Sequence, residues 1–233
     1  MDLTAYYDEY WRQLGDRCDL SRLQLLLAYI NPGEQVLEVD CGAGVLARLM
    51  AEKGARVQAT DMSAVAVGLA RAKGIAVQRA DLDSEPLPFP DGSFETVVSN
   101  SAIEHRFFPE RQLDECIRVL RPGGKLVLSL PNLAHWRCRL WLLAGRFPYV
   151  RNSPTDATHL RFFTLHEAKA MCRRRGVETV HVDGSASLWV PGFYPSLFRR
   201  QPVKAIYTWL ARRWPSMFAR DFILIGRKGV TTA

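Results

Sequence analysis

The residues best suited to chemistry are a short glycine turn, Cys41-Gly42-Ala43-Gly44, the carboxylates around it, and two histidines further on, His105 and His159. Glycine has no Cβ, so a ligand can approach the main chain and the turn can take positive φ. A carboxylate at Asp61, where the next apolar run ends, can accept hydrogen bonds from both hydroxyls of a ribose. These residues point to a nucleotide site. The turn alone leaves the ligand open, because Gly42, Gly44 and Ala47 also satisfy the dinucleotide pattern G-x-G-x-x-G/A. A glycine turn between strand and helix can also be no more than a tight turn.

The elements that must position these residues alternate along the chain. Strands are expected at 35–40, 55–60, 75–80, 95–100 and 125–130, with helices at 44–54, 63–73 and 110–120 between them. Such alternation predicts a parallel sheet with helices on both faces and a ligand at the carboxyl ends of its strands. An aromatic helix at 4–14 and a second at 20–30 precede the first strand. Tyr6, Tyr7, Tyr10 and Trp11 either cover a bound cofactor or pack their helix onto the core. Thr164, with Glu167 three residues later, reads as the cap of a helix ending near Gly176. Strands at 177–182 and 221–226 complete the pattern.

Several motifs fall in register: Val-Leu-Glu-Val-Asp-Cys-Gly-Ala-Gly at 36–44, Asp61, and Ala-Asp-Leu at 80–82. Leu-Pro-Phe-Pro-Asp-Gly-Ser-Phe at 87–94, Ile-Glu-His at 103–105 and Arg-Val-Leu-Arg-Pro-Gly-Gly at 118–124 follow. Together they resemble the class I S-adenosylmethionine-dependent methyltransferases over roughly residues 33–131. The resemblance implies a Rossmann-like, doubly wound seven-stranded sheet of order 3-2-1-4-5-7-6 with the last strand antiparallel. It implies S-adenosylmethionine as cofactor, held by Glu38, Asp40, Gly42, Gly44, Asp61, Met62, Asp81, Leu82 and Asn100. Gly42 and Gly44 would line the methionine part, Asp61 the ribose, and Asp81 with Leu82 the adenine. Asn100 would lie near the methyl group. Asp81 can equally be a turn or cap carboxylate. Asp40 departs from the family pattern, which usually has glycine there. Its carboxylate would either pair with the cofactor ammonium or repel the cofactor carboxylate.

Beyond residue 131, Pro131-Asn-Leu-Ala-His-Trp136 and Leu140 to Phe147 resemble the MetW-type proteins of methionine biosynthesis. Asp156 to Thr164 and the N-terminal Tyr-Tyr-Asp-Glu-Tyr-Trp resemble methyltransferases encoded with glycosyltransferases for cell-surface glycans. The expected layout is one domain: a helical cap at 1–32, a cofactor core at 33–131, lid insertions at 131–164 and 185–219, and a closing strand at 220–228. Both insertions are basic and aromatic, with Trp189, Phe193, Tyr194, Tyr207, Trp209 and Trp214 in the second.

The net charge is +7, concentrated after residue 130; residues 131–176 carry nine Lys/Arg against two Asp/Glu. This charge suits an acidic acceptor, an anionic membrane surface or a solvated helix face, while no nucleic-acid motif is present. The five cysteines are scattered without a C-x-x-C pair, so neither a zinc site nor a disulfide framework is expected, and no metal-ligand cluster is visible. No signal-peptide pattern occupies the N-terminus, and a cytoplasmic location is expected.

A small-molecule or glycan-type acceptor, methylated at oxygen, is the expected substrate. His105 is the first candidate general base, because it follows the fourth strand at the carboxyl edge, and His159 is the second. Either can instead be a structural hydrogen-bonding residue. Tyr6, Tyr7 and Arg161 are the candidate acceptor contacts. The alternative expectation is a non-catalytic, MetW-like regulatory partner that keeps the fold.

Overall fold

The structure, a computed structural model, describes residues 3–188, 190 and 192–230. Trp189 and the first two residues, read above, lie outside them. Seven strands form one sheet of order β3-β2-β1-β4-β5-β7-β6. They are β1 Gln35–Val39, β2 Arg56–Asp61, β3 Ala76–Arg79, β4 Phe94–Asn100, β5 Leu120–Pro131, β6 Val177–Ser185 and β7 Asp221–Lys228. The strands from β1 to β5 pair in parallel, and β7 runs antiparallel between β5 and β6. This is the expected strand order, with the closing strand reversed as the resemblance implies.

Helices α1 Leu3–Leu14 and α2 Leu20–Leu27 precede β1, and α3 Val45–Glu52 and α4 Ala64–Arg71 are crossovers. A 3-10 turn, Ile103–His105, and α5 Pro109–Val119 join β4 to β5. Helices α6 Trp136–Leu143 and α7 Leu165–Arg173 lie between β5 and β6; α8 Val203–Arg213 and α9 Pro215–Phe218 lie between β6 and β7. Thr164 caps α7 as expected, accepting a hydrogen bond from the Glu167 amide.

Alternation along the strands assigns the two faces. Leu37, Val39, Val97, Leu126 and Leu128 pack with Leu113 and Cys116 of α5 and Met171 of α7. Val36, Val98 and Val127 pack on the other face with Leu23 and Leu26 of α2 and Leu46 and Met50 of α3. Both faces are covered, which is why these strands read as near-continuous apolar runs. β5 begins earlier than the sequence suggests. Leu120 pairs with Phe94, and the register then jumps so that Lys125 pairs with Thr96. Arg121-Pro-Gly-Gly124 is the excess chain at that irregularity, with Gly123 at φ +72°.

The two basic insertions meet in one further cluster. Cys138 from the first packs with Phe193, Tyr194, Tyr207 and Ala211 from the second, flanked by Trp136 and Trp141. At its centre His135 is fully buried. Its Nδ1 accepts the Arg137 amide at 3.2 Å, so Nε2 bears the proton and donates to the Tyr207 hydroxyl at 2.8 Å. Tyr207 passes its own proton to the Phe218 carbonyl at 3.1 Å, and the Tyr194 hydroxyl lies 3.2 Å from Nε2.

Burial, with Arg137 and Arg220 adding repulsion, pushes the His135 imidazole down to about 3. An unfolded histidine takes up a proton below about 6.5 while this one stays neutral, so acid favours the unfolded chain. The stability this residue contributes is complete above about pH 6.5. It is lost at about 1.4 kcal/mol per pH unit as pH falls toward 3. Urea unfolding at pH 7.5 and pH 5 should show a smaller acid loss in His135→Gln than in the wild type. Equal losses would contradict this placement of the proton.

Candidate active site

The carboxyl edge of the sheet gathers the residues that the sequence singles out. β1 runs into Asp40 and the glycine turn, β2 ends at Asp61, the chain reaches Asp81 just past β3, and β4 ends at Asn100. The turn is left-handed at three positions: Asp40 (φ +55°), Gly42 (+56°) and Gly44 (+72°). Gly44 starts α3, and a Cβ there would collide with Ala70 of α4. Glycine at 44 therefore sets how closely α3 and α4 pack.

Asp61 ties the turn to β2. One carboxylate oxygen accepts the Gly42 amide at 2.8 Å and the other the Ser63 amide at 2.9 Å. Burial raises its pKa, and the Asp40 carboxylate adds to the shift. Glu38 lies beneath the turn, where burial pushes its carboxyl up to about 8 and only the Ala47 amide opposes the shift. Met62 and Leu82 are buried beside these residues.

Asp40 has partners within the chain that the sequence reading did not foresee. Its carboxylate is taken by the chain itself: Arg106 Nη2 donates to it at 2.6 Å and Gln112 Nε2 at 3.0 Å. Arg106 is 4 % exposed. It also reaches Asp83 at 3.2 Å and Asp81 at 3.4 Å, and donates from Nε to Gln112 at 3.0 Å. Burial opposes its charge, but Asp40 and Asp83 outweigh burial and hold it protonated. Asp81 also caps its own turn, accepting the Asp83 amide at 3.1 Å and the Ser84 hydroxyl at 3.0 Å.

Helix α1 closes the edge from above. Asp8 accepts the Ser63 hydroxyl at 2.5 Å and the Val65 amide at 3.3 Å, which latches α1 to the start of α4. The Trp11 indole then lies against Gly42, so close that a Cβ at Gly42 would overlap it. Tyr7 stands edge-on to His105 with ring centroids 6.3 Å apart, and Tyr6 stands edge-on to Tyr7 at 5.3 Å. The aromatic helix thus sits against α4 and covers the glycine turn.

His105 and His159 meet although 53 residues separate His105 from its Thr158 partner, and their ring centroids are 5.0 Å apart. Burial pushes His105 down to about 4, with repulsion from His159 adding; burial also lowers His159. Glu104 lies beside both and is 1 % exposed. Burial pushes its carboxyl up to about 8. The spacing of ligand types gives no sign of a metal cluster, yet the fold brings Glu104, His105 and His159 together. Arg161 is exposed and turned outward, donating to the Phe107 carbonyl at 2.6 Å.

These residues fit an S-adenosylmethionine site. The Oδ1 atom of Asn100 is buried without a hydrogen-bond partner at the end of β4. The left-handed turn at Gly42 and the paired-amide acceptor Asp61 lie on the same edge. A ligand that reaches the Gly42 backbone must displace the Trp11 ring. Arg106, Gln112 and Glu104 are the participants that sequence reasoning missed, whereas Trp11 is one of the aromatic residues expected either to cover a cofactor or to pack its helix. Glu104 sits inside the Ile-Glu-His motif, and Arg106 follows that motif directly.

A relative from Mycolicibacterium smegmatis, a probable S-adenosylmethionine-dependent methyltransferase, is 33 % identical over 152 residues. That match covers 65 % of this chain, which spans about half, 55 %, of that relative. A ubiquinone biosynthesis O-methyltransferase from Xanthomonas oryzae is 32 % identical over 199 residues, covering 81 % of this chain and 82 % of its own length. The fold is similar to a chain from the complex between the Haloferax volcanii Trm112 methyltransferase activator and a methyltransferase. That match has a TM-score of 0.68 at 20 % identity and covers 98 % of both chains. The model of the family described as methionine biosynthesis protein MetW matches residues 18–204. The chain therefore belongs to the MetW family, and its fold and motifs are those of the class I S-adenosylmethionine-dependent methyltransferases.

Proposed function

We propose that this chain binds S-adenosylmethionine at the carboxyl edge of β1, β2, β3 and β4 and methylates a hydroxyl of a small-molecule or glycan-type acceptor. The observation that carries this reading is the meeting at one edge of the left-handed Gly42 turn, Asp61, and the unpartnered Asn100 side chain. When bound, the cofactor supplies a methyl group on a sulfonium, which leaves by in-line displacement. The chain's residues bind and orient. Asp61 receives the ribose hydroxyls on the lone pairs its two amide bonds leave free. Asp81 and the Leu82 backbone face the adenine. Tyr7 of α1 excludes water from the reacting groups once the Trp11 ring has moved off Gly42 to admit the cofactor. The acceptor hydroxyl lies toward His105 and His159, where its proton is withdrawn. The basic, aromatic insertions at 131–164 and 185–219 hold the rest of the acceptor, which favours an anionic one.

The second reading, a non-catalytic partner in methionine biosynthesis, is favoured by a specific observation. Trp11 covers Gly42, while Arg106 and Gln112 engage Asp40 on the floor of the same site.

The test is to incubate the chain with S-adenosylmethionine and a pool of nucleotide sugars, lipid-linked glycans and ubiquinone precursors, and read masses. The expected result is one acceptor gaining one methyl group, with demethylated cofactor formed in equal amount. Cofactor binding with no mass gain across the pool would favour the regulatory reading.

A further inference from the structure

Glu104, His105 and His159 form a cluster whose hydrogen bonding is incomplete in a particular way. One ligating atom of each lies within 4.8 Å of the other two. His105 Nδ1 lies 3.0 Å from the Thr158 carbonyl, and His159 Nδ1 lies 3.3 Å from the Pro154 carbonyl. A carbonyl oxygen can only accept, so each Nδ1 carries the proton and each Nε2 keeps its lone pair. This is the arrangement in which a backbone carbonyl fixes the tautomer and ring orientation of a metal-binding histidine. Independently, both carboxyl oxygens of Glu104 are buried without any hydrogen-bond partner. Leaving a buried acceptor unsatisfied costs about 1–3 kcal/mol, and more for a charged group. Arg22 lies near enough for its charge to favour the carboxylate but makes no hydrogen bond to it: its Nη1 donates to Ser101 Oγ at 2.7 Å and lies 3.7 Å from Asp221, and its Nε has no partner.

We infer that Glu104, His105 and His159 are the protein ligands of a divalent first-row metal cation, held at the acceptor end of the site. Two imidazoles and one carboxylate are a donor set that such cations accept with coordination positions left open. Bond lengths of about 2.0–2.2 Å require the three groups to close by about an ångström. The ion satisfies the Glu104 oxygens and both Nε2 lone pairs at once.

The role of the cation, though not its binding, rests on the methyl-transfer reading. An acceptor hydroxyl on an open coordination position gives its proton to water at neutral pH. The oxygen lone pair then forms the bond to the methyl carbon while the carbon–sulfur bond breaks with its electron pair onto sulfur.

Chelator-treated full-length chain, titrated calorimetrically with Zn²⁺ at pH 7.5 without cofactor or acceptor, should bind one ion. Co²⁺ should give visible d–d bands. Glu104→Gln, His105→Ala and His159→Ala should each weaken Zn²⁺ binding by about 100-fold or more and abolish the Co²⁺ bands. Circular dichroism selects the variants that remain folded, and Glu104→Gln preserves side-chain volume. No binding by folded wild type, or binding unchanged in folded variants, overturns the site. Metal binding with no methyl transfer removes the proposed function and leaves the site standing. Full-rate methyl transfer by metal-free protein removes the catalytic role.

Discussion

Replacing Asp61 with alanine should weaken S-adenosylmethionine binding by about 100-fold, which corresponds to about 2.7 kcal/mol. The size follows from what the carboxylate holds. It accepts the Gly42 amide at 2.8 Å and the Ser63 amide at 2.9 Å, so its loss frees the glycine turn from β2 and the start of α4 together. Hydrogen bonds to a charged group contribute about 1.5–3 kcal/mol each, and the ribose contacts are lost as well. Asp61→Asn keeps one acceptor oxygen and turns the other into a donor that repels an amide, so it should retain only part of the affinity. Calorimetry on both variants, with circular dichroism to confirm folding, measures the effect. Wild-type affinity in Asp61→Ala would remove the ribose assignment.

Replacing Arg106 with methionine should be the most destabilising single change at this edge, by about 3–5 kcal/mol, because it leaves a largely buried carboxylate at Asp40 without its cation. Only Gln112 would remain bonded to Asp40. Asp40→Gly should cost far less. It relieves a left-handed residue at φ +55°, and Arg106 keeps Asp83 and Asp81. The double variant Asp40→Gly with Arg106→Met should recover most of the stability lost in Arg106→Met alone. A double-mutant cycle in urea unfolding reads this coupling directly. A loss below about 1 kcal/mol in Arg106→Met would mean that the pair is already solvated.

What could be read in advance was local. Val36 to Val39, the glycine turn and the apolar spacing from Val45 to Met50 lie in one continuous stretch, so strand, turn and helix follow from hydrophobic period and glycine chemistry. The Thr164 cap was visible for the same reason. What escaped depends on side chains distant in sequence. Asp8 finds Ser63, and only then does Trp11 reach Gly42. Asp40 looked like an unpaired departure from the family pattern because its partners, Arg106 and Gln112, arrive on the connection after β4. Glu104 stood in plain view inside a motif, but its neighbour His159 arrives on the segment after α6. The early start of β5 was hidden by Pro122-Gly123-Gly124, which reads as a turn and sits at a register irregularity within the ladder.

Calorimetric titration of the chain decides whether this edge is an S-adenosylmethionine site. One-to-one binding of S-adenosylmethionine and of its demethylated product is expected, with no heat from NAD. Binding of NAD, or no binding of S-adenosylmethionine at millimolar concentration by the folded wild type, would contradict it.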